Sequence, residues 1–243
     1  MRSNDSQDEA RRRLLVRALT SGSLGWALAA PRADAAGVLG GRPEKLPPGQ
    51  SVYRITGKVL VNGQQVAANT RIAASDTIDT APGGELIFVV GDNAMLVREN
   101  SRVTLQGGAG TLTEVQLVKG KLLSVFGGGP RRLSTPAAAI NIRGTGVYLE
   151  ADPEQTYFCT CYGTAEVQAT ADPSSREAVV AVHHDKPLFI LAAGPAGALI
   201  RRAPFVNHTD QELMLIETLV GRTPPFVFPG SQYNTPRPSG RYR

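Results

Sequence analysis

The residues best suited to chemistry in this sequence are two closely spaced cysteines. Cys159 and Cys161 are the two cysteines of the chain, and a single threonine separates them. Side chains two residues apart in an extended strand point to the same face, so both thiols should face the same surroundings. Cysteine thiolates and histidine imidazoles bind zinc, copper and iron. We therefore take Cys159, Cys161 and His183 as candidate metal ligands.

Two more histidines lie near enough in sequence to matter. His184 follows His183 directly, and His208 precedes a predicted helix. Neighbouring residues on a strand point to opposite faces, so at most one of His183 and His184 should join the cysteines. The Cys-x-Cys spacing matches no tight zinc signature, and it is near the limit of disulfide reach. A strained disulfide and free structural thiols therefore stay open alternatives, and the cofactor is either absent or one of zinc, copper and iron.

Motifs of the common enzyme classes are missing from the sequence. It has no GxSxG nucleophile elbow and no HExxH metalloprotease motif. The glycines of Gly127–Gly129 lack the GK[ST] continuation with which a P-loop binds phosphate and magnesium. We therefore expect a protein that is not an enzyme.

Short apolar runs separated by turn residues dominate the chain from Ser51 onward. Asn62 and Gly63 both tolerate positive φ, which favours a tight hairpin turn. Strands of about six residues at spacings of about ten are typical of sandwiches, barrels and solenoids. The sequence therefore predicts an all-β domain over residues 51–200, β-solenoid or sandwich-like in architecture. Its central predicted strands are Glu85–Val90, Ala94–Arg98, Arg102–Gln106, Thr111–Val118, Lys121–Phe126, Ile140–Ile142, Gly146–Glu150, Thr156–Cys161 and Ala165–Ala169.

One amphipathic helix is predicted near the C-terminus, within an appendage over residues 201–228. Thr209 and Glu212 have the spacing of a capping box, and Gly221 is suited to end the helix. An apolar stripe at helical spacing should pack on the sheet, and it comprises Leu213, Ile216, Leu219 and Val220. Residues 229–243 are polar, basic and rich in proline, and are predicted to form a flexible tail.

The N-terminus has the features of an export signal. A basic stretch, Arg11–Arg13, precedes a mildly hydrophobic region, and Ala33 and Ala35 form a small-x-small cleavage signature. The paired arginines favour the twin-arginine route, although a Sec signal stays open. We expect residues 1–35 to be cleaved, residues 36–50 to be a linker and the protein to reside in the periplasm. No apolar stretch is long enough to cross a bilayer. Part of the net charge of +5 lies in this leader, and the low positive charge of the remaining chain argues against a nucleic-acid partner.

A series of short motifs along the β region resembles the FecR domain. The most specific part runs from Ser134-Thr135-Pro136 through Ile142-Arg143-Gly144-Thr145 to Tyr162-Gly163-Thr164. Earlier parts are Gly57-Lys58-Val59, Gly83-Gly84, Glu99-Asn100-Ser101-Arg102 and Lys119-Gly120. The resemblance covers about residues 52–170 and implies an extracytoplasmic β-rich module. The cytoplasmic anti-sigma region and membrane span of the signalling members do not precede it here.

The central motif should act as a structural element. We assign this role to Thr135, Pro136, Arg143, Gly144 and Thr145, with proline at a strand start and the arginine bridging carbonyls or a carboxylate at a bend. The leading function is a periplasmic non-catalytic binding or scaffolding protein, in envelope assembly or signalling, whose partner is a protein or envelope component. The alternative is a small metal-binding or redox protein centred on the two cysteines. The sequence leaves the oligomeric state open.

Overall fold

The computed structural model of the protein describes residues 43–108 and 111–226. The predicted leader, residues 1–35, and the predicted tail, residues 229–243, lie outside the described residues. Of the predicted linker, residues 43–50 are described and contain neither a strand nor a helix.

The described residues form fourteen strands and one helix. The shorter strands before the longest hairpin are β1 (Val52–Thr56), β2 (Val59–Val61), β3 (Gln64–Gln65), β4 (Thr77–Thr80), β5 (Glu85–Val90), β6 (Asn93–Val97) and β7 (Arg102–Gly108). They are followed by β8 (Thr111–Val125), β9 (Pro130–Ser134), β10 (Ala138–Ala151), β11 (Gln155–Ala169), β12 (Arg176–Ala181), β13 (Leu188–Leu191) and β14 (Ile200–Arg202). The helix, α1, spans Asp210–Leu219. The all-β prediction with one C-terminal helix is confirmed.

All fourteen strands belong to one hydrogen-bonded sheet. Its main path runs β14-β13-β11-β10-β9-β8-β7-β4-β2-β3, while β6 joins β8 and β5 to extend the sheet to β1. The second half of β11 pairs with β12. Neighbouring strands of the described chain pair antiparallel except β8 and β9, which are parallel.

The three longest strands separate two apolar regions. Side chains alternate between the two faces of a strand, so Val147 and Leu149 of β10 lie in a large aliphatic core, whereas Tyr148 between them lies in a second cluster on the opposite face. In β11, Phe158 faces the large core. Both faces are buried only in the part of each strand that the helix covers, such as Leu122–Val125 of β8 and Thr156–Cys161 of β11. By contrast, Thr111–Leu117 of β8 alternates between exposed or half-buried polar and buried apolar residues.

The helix covers the second cluster. Leu213, Ile216 and Leu219 are buried against the sheet face formed by β5, β6, β8, β10 and β11. The predicted capping box is present, because the Thr209 hydroxyl accepts from the Glu212 amide while the Glu212 carboxylate accepts from the Thr209 amide. No helix in the described ranges has the length and apolar character needed to cross a bilayer.

The C-terminal end of the helix is anchored by an ion pair between the buried Glu217 and Arg222. The Glu217 side chain is 3% exposed, and its carboxylate accepts a hydrogen bond from the Tyr162 hydroxyl. Arg222 donates from Nε to Glu217 at 2.7 Å and from Nη1 to the Asp92 carbonyl at 2.6 Å. The Leu46 amide also donates to the Leu219 carbonyl at 2.9 Å. The end of α1 is therefore tied to the sheet and to the N-terminal segment.

Three pairs of predicted strands are continuous in the structure, where they form β8, β10 and β11. β10 joins the predicted Ile140–Ile142 and Gly146–Glu150, and its register against β11 shifts around Gly146. A Cβ on Gly146 would lie 2.5 Å from the Tyr162 ring, and one on Gly163 would lie 2.9 Å from the carbonyl oxygen of Gly144. Glycine therefore permits a close approach of the two strands without ending either of them.

The residues assigned a structural role lie around this hairpin. Thr135 is buried, bonds the Thr156 hydroxyl at 2.6 Å and accepts from the Ala138 amide at 2.9 Å, which fixes the turn between β9 and β10. Pro136 is exposed in that turn. These contacts locate the first part of the motif at a tight connection.

The second part of the motif lies in β10. Gly144 has a φ of 57°, and Thr145 is fully buried. Arg143 is exposed, and its side chain forms no hydrogen bond or ion pair with another described residue. The bridging role assigned to Arg143 therefore stays a prediction.

Candidate metal centre

The two cysteines lie on the helix-covered face of β11. Cys159 and Cys161 alternate with Thr160, which points toward the opposite face. Both cysteines are fully buried and neither forms a disulfide. The disulfide alternative is therefore not the state of this structure. Strand geometry places both sulfur atoms on the same side of the sheet, as the sequence predicts.

His184 reaches this face from the turn that follows β12. The Asp185 carboxylate accepts from the backbone amides of Val182 and His183 at 2.6 and 3.1 Å, which shapes the turn. His184 adopts a left-handed φ of 55°, and its amide donates to the Cys161 carbonyl at 2.9 Å. Its Nδ1 atom consequently lies 3.5 Å from the Cys159 sulfur.

His208 reaches the same point from the segment that leads into α1. It is 3% exposed, and its ring stacks on Tyr148 with centroids 4.4 Å apart. Its Nδ1 atom lies 2.7 Å from the Val206 carbonyl, so Nδ1 bears the proton and donates it there. The other ring nitrogen, Nε2, then presents a lone pair to the cysteines and lies 3.4 Å from the Cys161 sulfur.

The four side chains have the spacing of a tetrahedral metal site. Their ligand atoms, from Cys159, Cys161, His184 and His208, all lie within 4.8 Å of one another. Zinc bond lengths imply tetrahedral edges of about 3.3 Å between two nitrogens and about 3.6 Å between nitrogen and sulfur. The structure has 3.1 Å between the two histidine nitrogens, and 3.4 and 3.5 Å between nitrogen and sulfur.

Asp210 orients the His184 ring from the first turn of α1. Its Oδ1 atom lies 3.1 Å from Nε2 of His184 and 2.8 Å from Nε2 of His183. A carboxylate that accepts the outer proton of a histidine holds the inner nitrogen ready for a metal. The Val206 carbonyl does the same for His208. Both histidines thus have the outer hydrogen bonds that metal ligands usually have.

The electrostatics of the cluster favour a single thiolate, at Cys159, together with the Asp210 carboxylate. A hydrogen bond from Cys161 lowers the pKa of Cys159 to about 4, with help from His184 and against the effect of burial. Burial raises the pKa of Cys161, and the neighbouring Cys159 raises it further. Burial also opposes ionisation of Asp210, but hydrogen bonds from His184 and His183 lower its pKa to about 2. One thiolate and one carboxylate are therefore already anionic.

The Nδ1 atom of His184, which faces the two sulfur atoms, favours a bound proton or metal ion. Burial alone lowers the pKa of His184, but hydrogen bonds to Asp210 and Cys159 raise it to about 9. Nε2 of His208 is an acceptor that faces this nitrogen at 3.1 Å. Two lone pairs at this distance repel each other unless a cation lies between them. A proton and a metal ion therefore compete for the centre of the cluster.

The comparisons with known proteins give partial structural superpositions and no sequence match. No protein-family model matches the sequence, and no curated protein matches it. Two crystal structures of a proposed anti-sigma factor from Parabacteroides distasonis ATCC 8503 superpose with TM-scores of 0.43 and 0.42, both at 13% identity. Each superposition covers 52% of this chain and 58% of the other, so the chain spans little more than half the length of these relatives. The FecR resemblance stays a prediction from sequence motifs.

The structure changes one of the three predicted ligands. Cys159 and Cys161 lie together, whereas the predicted His183 does not join them, and its Nε2 atom lies 2.8 Å from Asp210 Oδ1 instead. Strand alternation does not apply to His183 and His184, since they lie in a turn where both rings reach the same carboxylate. His184 and His208 complete the group. The sequence signal for His208 was its position one residue before the capping threonine, which fixes it at the start of α1.

Proposed function

We propose that this protein is a metal-binding β protein in which Cys159, Cys161, His184 and His208 hold a zinc ion. The observation that carries the proposal is the 3.1 Å approach of the two histidine nitrogens beside two reduced cysteines. Two thiolates and two imidazoles are a common ligand set of structural zinc sites. Copper and iron share these ligands, and elemental analysis of the purified protein distinguishes the three metals.

The role of the ion in this proposal is structural. Four protein ligands fill a tetrahedral shell and leave no position for a substrate, unlike catalytic zinc sites, which have three. The ligands come from β11, from the turn after β12 and from the entry to α1. The ion would therefore fasten the helix to the sheet face that it covers. This supports a protein that is not an enzyme.

Cobalt substitution and thiol variants test the proposal. Cobalt added anaerobically to the metal-free protein should produce an intense near-ultraviolet band, because thiolate-to-cobalt charge transfer requires a cobalt–sulfur bond. Cys159→Ala should at least halve the band, because it removes one of the two cobalt–sulfur bonds. Thr160→Val is the matched control, since Thr160 lies between the cysteines on the other face and its buried hydroxyl has no partner among the described residues. A purified protein that binds neither zinc nor cobalt through its thiols would overturn the proposal.

The proposal includes export to the periplasm. The arginine-rich N-terminus and the Ala33–Ala35 cleavage signature support it. The twin-arginine route carries folded proteins, which suits a protein that takes up its metal before export. N-terminal sequencing of protein from a periplasmic fraction should find cleavage after Ala35, and an uncleaved chain in the cytoplasm would refute this part.

Binding of another protein is a second candidate function, and the free side of β12 favours it. Within the described chain β12 pairs with β11 alone. Val180 is 76% exposed and Val182 is 70% exposed. An exposed strand edge with apolar side chains can accept a strand from a partner. Tyr148 and Tyr157 are buried, so their rings are not part of an exposed contact surface.

A paired pull-down tests this second candidate. Mature protein and a Val180→Lys, Val182→Lys variant would be compared on the same periplasmic extract. A partner retained by the first and lost by the second, with zinc content unchanged, supports edge binding. Equal retention by both proteins contradicts it.

A further inference from the structure

A second group of ligand atoms lies next to the zinc site on the solvent side. His183, His184 and Asp210 each offer one ligand atom, and these atoms lie within 4.8 Å of one another. Asp210 Oδ1 is 2.8 Å from Nε2 of His183 and 3.1 Å from Nε2 of His184. The side chains are 23%, 8% and 16% exposed for His183, His184 and Asp210 respectively. The three side chains are therefore mostly buried and held by their mutual hydrogen bonds, but solvent reaches the group from one side.

His184 belongs to both groups through different atoms. Its Nδ1 atom faces Cys159 and His208, while Nε2 faces Asp210. The two nitrogens of one imidazole point away from each other, so a deprotonated ring can bind one cation at each. Every other ligand atom of the two groups belongs to one group alone, which leaves His184 as the shared residue.

The charges of the two groups also fit two cations. A divalent ion with the thiolates of Cys159 and Cys161 is neutral overall. Asp210 then leaves one negative charge, and none of the lysines and arginines in the described ranges pairs with it. A second divalent ion would be balanced by the Asp210 carboxylate and by a His184 imidazolate. The proton displaced from Nε2 of His184 would pass to the buffer.

We infer that His183, His184 and Asp210 form a second metal site, joined to the zinc site by His184 as a bridging imidazolate. The inference rests on the proposed zinc site. Two histidines and one carboxylate suit borderline divalent ions such as zinc, copper(II) and iron(II). Three protein ligands leave coordination positions on the exposed side, where a water molecule or a small anion can bind. The second ion is therefore the more accessible and exchangeable of the two.

Metal stoichiometry in single variants tests the inference. The probe is zinc, titrated into the full-length, reduced, metal-free protein and counted by native mass spectrometry. The wild-type chain should bind two zinc ions, whereas His183→Ala should bind one. Glu166→Gln, an exposed carboxylate change on β11, is the matched control for Asp210→Asn. The control should keep two ions, and Asp210→Asn should keep one.

A spectroscopic measurement places the second ion. With cobalt, His183→Ala should retain the thiolate charge-transfer band of the first site. In the wild-type chain, two cobalt ions on one imidazolate should be magnetically coupled, so that their electron paramagnetic resonance signal is weaker than twice that of the His183→Ala form. This coupling separates a bridged pair from an ion bound elsewhere on the surface.

Four outcomes would overturn the inference. One zinc ion in both wild-type and His183→Ala protein, with the thiolate band intact, would refute the second site and leave the first standing. Two ions in both proteins, or two uncoupled cobalt ions, would place the second ion elsewhere. Absence of any thiolate-bound metal would refute the proposed zinc site together with this one.

Discussion

The two ends of α1 are held to the same sheet by different chemistry. At its end, Glu217 is buried with its own cation, Arg222, and with the Tyr162 hydroxyl. At its start, Arg98 donates to Glu212 at 2.8 Å, while His208 and Asp210 meet His184 and the cysteines, where the positive charge is carried by the His184 ring rather than by a lysine or arginine of the described ranges. A buried carboxylate paired with a permanent arginine cation is a structural anchor, whereas a cluster whose positive charge is an exchangeable histidine proton is a candidate metal site.

The largest expected effect is loss of the ion at the start of the helix. Cys161→Ser should abolish thiolate-bound zinc and lower the free energy of unfolding by more than about 4 kcal/mol, because structural zinc contributes on the order of 10 kcal/mol to folding. Denaturant titrations of zinc-loaded proteins measure this. With a chelator present, the free energies of unfolding of the variant and the wild type should differ only by the effect of replacing a buried thiol by a serine hydroxyl. A difference that does not depend on the chelator would contradict a role for zinc.

Acidification should release the ion while the other anchor persists. Zinc binds thiolates and neutral imidazoles, so protons compete for its ligands and affinity falls as pH falls. The cobalt–thiolate band should therefore disappear on lowering the pH and return when the pH is restored. A band that is insensitive to pH down to the onset of unfolding would argue against direct metal–thiolate bonds.

The next effect should follow from breaking the anchor at the end of the helix. Arg222→Ala leaves the Glu217 carboxylate buried without its cation and should cost about 3 kcal/mol, at the lower end for a broken buried pair because Arg222 is partly exposed. The loss should be the same with and without chelator. If the chelator removes it, the two ends act as one coupled unit.

The helix cap should contribute less than either anchor. Thr209→Ala removes the hydroxyl that accepts from the Glu212 amide, and such changes typically cost about 1 kcal/mol. Equilibrium unfolding measures the cost, and metal content should stay unchanged. Loss of zinc in this variant would show that the cap, rather than the ligands alone, positions His208.

The smallest effect should come from a surface ion pair outside both ends. Arg54 and Glu85 lie 2.7 Å apart, but their side chains are 52% and 25% exposed. Solvent screens such pairs, so Arg54→Ala should change stability by less than about 1 kcal/mol. It serves as the matched control for Arg222→Ala in the same unfolding experiments. A loss equal to that of Arg222→Ala would remove the distinction between buried and exposed pairs.

The parts of the molecule that depend on local sequence were predictable. The capping box, the apolar stripe of α1 and the shared face of Cys159 and Cys161 follow from spacings of two to four residues. The fusion of predicted strands into β10 and β11 was not predictable. Glycine usually marks a turn, but in these strands it allows two strands to approach closely. The exchange of His183 for His184 depends on a turn shaped by Asp185, and His208 comes from a distant segment.

The distance in sequence between the ligands determines when the centre can assemble. His208 lies 47 residues after Cys161, and the intervening chain contains β12, β13 and β14. During synthesis His208 leaves the ribosome after all the strands of the sheet. Bringing it to Cys161 closes a long segment, and packing of the intervening strands supplies most of the entropy loss of that closure before the ligands meet. If the four residues hold zinc as proposed, metal uptake would therefore follow completion of the sheet.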